Sequence, residues 1–278
     1  MRVSFSTNAF TQYSIFDAVE KIAAAGYEGI ELLADIPHLY ADSVSVSDLQ
    51  KLKEHLSRTG LRVANLNANT AVGYYGRSFW EPLFEPSLAH PEPLERQWRI
   101  DYTRKCIDMA SFLGSPCVSV TSGRMVPGVL PEKSLDFLRQ SLKEVAEYAH
   151  DHGIRIGIEY EPGLLVECYE ELASLLDGLD LPNLGANLDL GHSHLLREDP
   201  QKVIGGLGQR IFHIHIEDIK DRKHYHLIPG RGDLDFGSLF ETLGRHHYEG
   251  FITVELYTYP HQPEAAAKSA LSYLRSLV

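Results

Sequence analysis

The stretch Leu181–His194, LPNLGANLDLGHSH, decides how the chain is read. Its apolar part reads as a short buried strand, Leu184–Leu188. That strand runs straight into a carboxylate, Asp189, and two imidazoles, His192 and His194. Such residues suit the rim of a sheet where polar side chains gather, not a packed interior.

Outward from it, the same pattern repeats on both sides. Arg155–Tyr160, RIGIEY, is a strand ending in Glu159 and followed by Glu161; helix Cys168–Leu176 separates it from the stretch above. Beyond lie a short helix, Pro200–Leu207, and strand Ile211–Ile216, IFHIHI, with His213 and His215 followed by Glu217 and Asp218. A polar loop, Glu217–Asp235, leads to helix Gly237–His246, strand Phe251–Leu256 with Glu255, and helix Gln262–Leu277. Toward the N-terminus stand strands Val3–Ser6, Gly29–Leu33, Leu61–Leu66 and Cys117–Thr121. Helices Ser14–Ala25, Ser45–Gly60, Leu94–Leu113 and Pro131–His152 follow them in turn. Eight strand–helix units with V/I/L-rich strands point to a parallel sheet covered on both faces. Eight units close most naturally into a single (β/α)8 TIM barrel, here one domain over 1–278. After the first strand STNAF stands in place of a glycine-rich dinucleotide fingerprint.

One segment, about 67–93, is too long for a plain connection and is rich in aromatics and prolines. Tyr74, Tyr75, Phe79 and Trp80 in it suit an apolar lid over a pocket, or a subunit contact in a homodimer. A surface loop packed on its own aromatics is the alternative.

The chain has 278 residues and a net charge of −12, from 26 Lys and Arg against 38 Asp and Glu. That balance argues against a nucleic-acid surface. Cys106, Cys117 and Cys168 form no CxxC motif, and an odd count makes a poor disulfide framework. They read as thiols in a reducing cytosol. The N-terminal MRVSFSTNAF lacks a signal-peptide core, and no apolar run approaches the ~18 residues of a membrane span. The expected location is cytoplasmic.

In a barrel of this kind the active site forms at the C-terminal strand ends. There, four adjacent strands offer Glu159, Asp189, His215 and Glu255. Each alone has a plain reading, as a loop hydrogen-bonder or a satisfied core histidine. Four on consecutive strands at one end are hard to explain as packing. Three carboxylates and one imidazole suit one divalent ion: Mn, Co, Mg or Zn. His213, deeper in its strand, is expected to be a core residue.

The pieces IGIEYEPG, NLDLGHSH, FHIHIED, PGRGDLDF and ITVELY resemble the sugar phosphate isomerase/epimerase superfamily with its xylose isomerase-like barrel, which also contains endonuclease IV. The closest motifs are those of ketose 3-epimerases. The resemblance implies that Glu159, Asp189, His215 and Glu255 bind the metal and that His192 contacts substrate or metal. The chain departs from the pattern at two places. Glu161-Pro162 stands where the family often has an Asn after the strand-five Glu. An Arg expected soon after the strand-seven His has only Arg222 and Arg231 as approximate counterparts.

The expected activity is therefore a divalent-metal-dependent isomerisation or epimerisation of a sugar or related polyol ketone. A proton beside the carbonyl is removed, a metal-stabilised enediolate forms, and the proton returns. Glu159 and Glu255 are the acid–base pair; His192, Asp218, Glu161, His226 and Arg231 are candidates for binding substrate. PGRGDLDF reads either as an anion-binding backbone with Arg231 or as a turn before a helix capped by Asp235, the turn being preferred. A metal-dependent dehydratase of an inosose or 3-dehydro compound uses the same apparatus. An apurinic endonuclease needs histidine ligands from the early strands, where NLNAN stands, and a basic track. A non-catalytic sugar-binding barrel is the remaining alternative.

Overall fold

The computed structural model describes residues 2–77 and 84–277. Its barrel strands are β1 (Arg2–Ser6), β2 (Gly29–Leu33), β3 (Arg62–Asn67), β4 (Cys117–Thr121), β5 (Arg155–Glu159), β6 (Leu184–Asp189), β7 (Ile211–Ile216) and β10 (Phe251–Val254). They pair in parallel in the order β1-β10-β7-β6-β5-β4-β3-β2, and β1 also pairs with β2, which closes the barrel. A TIM barrel is thus the observed fold.

The strands are not continuously apolar; they alternate. Phe5, Ile30, Leu32, Leu66, Val118, Ile156, Ile158, Leu188, Ile214, Ile252 and Val254 are buried in the hydrophobic core. Successive side chains on a strand point to opposite faces, so the residues between them face the lumen: Ser4, Glu31, Asn65, Ser119, Glu159, Asn187, His213, His215 and Thr253. These are also buried. They bond to one another across the interior, as Asn65 Nδ2 does to Glu31 (2.9 Å) and to Ser119 Oγ (2.8 Å). A barrel lumen is usually packed with branched aliphatic side chains. Here it is a polar network.

The surrounding helices begin where the sequence places capping residues. Ser14, Ser45, Asp199 and Asp235 each accept a backbone N–H from the first turn that follows, which satisfies an otherwise orphaned donor. Helix α1 (Ile15–Ala25) stops at Gly26, whose φ of +97° suits glycine.

Three local elements differ from expectation. Helix α7 (Leu190–Leu195) begins directly after β6, with Asp189 as its N-cap. The polar loop after β7 contains an antiparallel hairpin, β8 (Asp218–Lys220) and β9 (Lys223–Leu227). The segment after β3 contains a short helix, α3 (Val72–Tyr75), before α4 (Pro93–Leu113). Its start is tied down: the Asp35 carboxylate accepts from Thr70 Oγ1 and from the N–H groups of Ala71, Val72 and Gly73. Buried Arg99 donates to the carbonyls of Ala68, Thr70 and Pro86. Tyr74 packs on Tyr75 and Trp98; Phe79 and Trp80 lie outside the described residues.

Candidate metal and active site

The inward alternation carries four side chains to one point. Glu159 ends β5, Asp189 ends β6, His215 lies near the end of β7, and Glu255 follows β10. One ligand atom from each lies within 4.8 Å of the others, and all four residues are buried. The register places Asp189 beside His215 and His215 beside Thr253. His215 Nδ1 stands 3.1 Å from Glu159 Oε1 and 3.8 Å from Glu255 Oε2. Asn187 Nδ2 donates to the other Glu159 oxygen at 3.2 Å, and Asn8 Nδ2 to Glu255 Oε1 at 2.9 Å. Asp189 divides its carboxylate: Oδ1 accepts the His192 N–H at 2.8 Å, while Oδ2 has no hydrogen-bond partner.

Beneath the four lies a second layer. His215 Nε2 is 2.5 Å from Glu31 Oε2, and His213 Nε2 is 3.2 Å from the same oxygen and 2.8 Å from Thr253 Oγ1. Burial alone would raise the Glu31 carboxyl, but His215 and His213 outweigh it and hold it well below the usual range. Burial would likewise lower His215, yet Glu31, Glu255 and Glu159 hold it well above its ordinary value. For Asp189 burial is outweighed by His192, His226 and His215, so its carboxyl is lowered. Glu255 is pushed well up by burial and by Glu159, Glu31 and Asp189, against the opposing pull of His215.

Glu217 adds another buried carboxyl. No N–H or hydroxyl group reaches its oxygens, and burial, the charges of Asp189 and Glu255 and a carboxyl–carboxylate contact with Asp189 push it well up. A Cβ on Gly191 would meet Glu217 Oε1 at 1.6 Å, so the glycine of GHSH makes room for it. Crowded, buried carboxyl groups are costly as anions unless a retained proton or a cation answers them. The oxygen-rich donor set with one imidazole fits one divalent ion.

Three other expected residues adjoin the cluster. His192, on α7, has Nε2 3.9 Å from Asp189 Oδ2. His226, on β9, has Nδ1 3.7 Å from Glu255 Oε2. Glu161, just past β5, is pushed up to about 7, chiefly by burial. Two residues are not brought there. The buried Asp218 carboxylate is turned to the N–H groups of Ile219, Gly230, Gly232 and Leu234. Arg231 is exposed on that same turn, so PGRGDLDF is a turn built on Asp218, with Asp235 capping the next helix. Arg222 is also exposed and donates to the His194 carbonyl.

Sequence reasoning did not assign Asn8, Glu217 and His224 to the site. His224 sits two residues before His226, as His213 does before His215. Taking the segment as loop hid the strand alternation that puts both rings on one side.

Residues 19–277 match the family model described as xylose isomerase-like TIM barrel. A fructoselysine 3-epimerase of Shigella flexneri is 24% identical over 283 residues, covering 100% of this chain and 98% of that protein. A 3-dehydroshikimate dehydratase of Pseudomonas putida is 23% identical over 94% of this chain and 39% of that protein. The crystal structure of a D-tagatose 3-epimerase-like protein superposes with a TM-score of 0.81 at 24% identity, covering 100% of this chain and 98% of the other. Among the described residues no helix is long and apolar enough to cross a membrane.

Proposed function

The chain belongs to the xylose isomerase-like TIM barrel family, and within it we propose an isomerase or epimerase of a sugar or related polyol ketone that works with one divalent ion (Mn, Co, Mg or Zn). The observation that carries this reading is the buried convergence of Glu159, Asp189, His215 and Glu255, with Asp189 Oδ2 left without a partner. The 3-epimerase relative supports the reaction class.

When bound, the ion would supply positive charge for the substrate oxygen that becomes negative as a neighbouring proton leaves. Glu159 and Glu255 move that proton. Each has one oxygen tied by an asparagine, Asn187 or Asn8, which fixes the direction of the other. One takes the proton from one face of the carbon and the other returns it to the opposite face. Glu161, His192 and His226 bind the hydroxyls; Asp218 and Arg231 act through the turn beside β9. The unpaired thiols Cys106, Cys117 and Cys168 fit the cytoplasm. We read 1–278 as one domain, with the segment at 67–93 as a lid or homodimer contact.

A second reading is a dehydratase of a 3-dehydro compound or an inosose. The dehydratase relative favours it, and Glu161, whose carboxyl burial pushes up to about 7, would protonate a leaving hydroxyl. Product analysis separates the two. Mn2+- or Co2+-loaded protein is incubated with D-fructose, D-tagatose and 3-dehydroshikimate and followed by NMR. An isomer or epimer supports the first reading and loss of water the second. A fully loaded protein that converts none of them contradicts both on these probes.

A further inference from the structure

We propose a site for a phosphate-bearing small molecule at the N-terminal end of the barrel, opposite the carboxylate cluster, held by Arg2, Arg62 and Arg155. Each of the three is the first residue of its strand, β1, β3 and β5. Alternate strands of a closed barrel place corresponding residues in one layer, so the three side chains gather round the barrel floor. They line a cavity of about 500 Å³, with Lys53 of α2 (Val46–Thr59) beside them and Phe212 and Phe251 in the wall.

The floor is shaped by close backbone approach. Arg2 pairs with Phe251 across β1 and β10, and Gly29 pairs with Arg62 across β2 and β3. A Cβ on Gly29 would meet the Phe251 ring at 2.4 Å. The glycine therefore lets that ring lie across β2 and reach Arg62. The Arg2 and Arg62 guanidiniums stand 4.6 and 5.1 Å from its centroid. Across the floor, a Cβ on Gly185 would meet the Phe212 ring at 2.7 Å, and the Arg155 guanidinium stands 4.8 Å from the centroid of that ring. Stacking on a ring face orients a guanidinium and leaves its N–H donors at the edge free. One donor is taken, from Arg2 Nη2 to the Glu249 carbonyl at 2.7 Å.

The charge balance asks for an anion. Elsewhere the arginines of this chain meet carboxylates: Arg58 meets Glu20, Arg104 meets Asp101 and Glu144, Arg139 meets Asp136, and Arg210 meets Asp177. Among the described residues, Arg2, Arg62, Arg155 and Lys53 form no ion pair. Cations gathered this closely repel one another unless a counter-charge sits between them. Guanidinium forks match the oxygens of a phosphate group two at a time. With a net charge of −12, the protein as a whole repels anions, so binding has to come from this local cluster. A concave cavity of this size takes a small molecule; a nucleic acid needs an extended basic track. None of these residues belongs to the carboxylate cluster or to the substrate candidates, so the proposal stands apart from the reading above.

The test is isothermal titration of the purified protein in Mg2+ buffer with inorganic phosphate and, separately, with sn-glycerol 3-phosphate, which has no carbonyl to react. Wild-type protein is expected to bind one molecule per chain, saturating below about 10 mM. Tighter binding of glycerol phosphate supports an organic phosphate as the occupant, and tighter binding of inorganic phosphate supports the free ion. Arg62→Ala and Arg155→Ala should each weaken binding at least ~10-fold, as loss of a charge-assisted hydrogen bond does. Arg58→Ala, which removes an arginine that already has a carboxylate, should change it little. His215→Ala should bind phosphate as the wild type does. Far-UV circular dichroism checks folding, and Arg62→Gln and Arg155→Gln serve if the alanine variants do not fold. Three results overturn the site: no saturable binding below about 10 mM, binding that the Arg62 and Arg155 variants leave unchanged, or an equal loss in Arg58→Ala, which marks a diffuse charge effect.

Discussion

His215 and Glu31 meet across the barrel lumen, Nε2 to Oε2 at 2.5 Å. They sit on β7 and β2, which do not neighbour one another in the sheet. Glu31 takes one ring nitrogen and leaves Nδ1 facing Glu159 and Glu255. A carboxylate behind a histidine fixes its tautomer and strengthens it as a ligand.

Glu31→Gln is therefore expected to weaken the affinity of the carboxylate cluster for Mn2+ by ~10–100-fold, with the barrel still folded. Isothermal titration of the metal-free variant measures this. An unchanged affinity would mean that Glu31 only fills space.

Glu159→Gln and Glu255→Gln should each cut turnover by about 10²–10⁴-fold, the usual contribution of a positioned proton-transfer group. Substrate affinity should change far less if each group acts mainly on the proton. A variant that keeps wild-type kcat removes its residue from the acid–base pair.

How far the site was legible follows from what each signal encodes. The four converging residues could be read because each ends a recognisable strand, and barrel closure then brings the strand ends together. The helices could be placed because Ser14, Ser45, Asp199 and Asp235 announce their own starts. The polar lumen was visible as alternation, as in RVSFS and VANLN, but alternation ordinarily marks a sheet with one wet face. In a closed barrel the inner face holds a buried hydrogen-bond network instead. The Glu31–His215 contact depends on closure across the lumen and leaves no local trace. Helix α7 was hidden because Asp189 both ends a strand and caps a helix, with no linker between.

Glu217 predicts a pH effect. Its carboxyl is pushed well above the ordinary 4.5 by burial and by Asp189 and Glu255. Above that ordinary value the unfolded chain has released a proton that the folded protein retains. Folding then binds a proton, and this group's contribution to stability falls as pH rises. In metal-free protein, Glu217→Gln should raise the melting temperature at pH 8 and leave it nearly unchanged near pH 4. An equal effect at both values would show that the change acts through packing rather than charge.

Asp218→Ala tests the turn. The carboxylate serves the N–H groups of Ile219, Gly230, Gly232 and Leu234, and a buried donor left unsatisfied costs about 1–3 kcal/mol. The variant should lose several kcal/mol in denaturant titration, whereas Arg231→Ala, at an exposed position, should lose little. Wild-type stability in Asp218→Ala would contradict the structural role and return Asp218 to the substrate-binding candidates.

The most direct measurement of the central claim is hydrogen exchange during turnover. Metal-loaded protein is incubated in D2O with D-fructose and D-tagatose, and recovered sugar and product are examined by NMR and mass spectrometry. Proton transfer through Glu159 and Glu255 predicts solvent deuterium on the carbon beside the carbonyl, dependent on the ion and at least ~10²-fold slower in either Gln variant. Sugar conversion without deuterium, or at the same rate after the ion is removed, would contradict it.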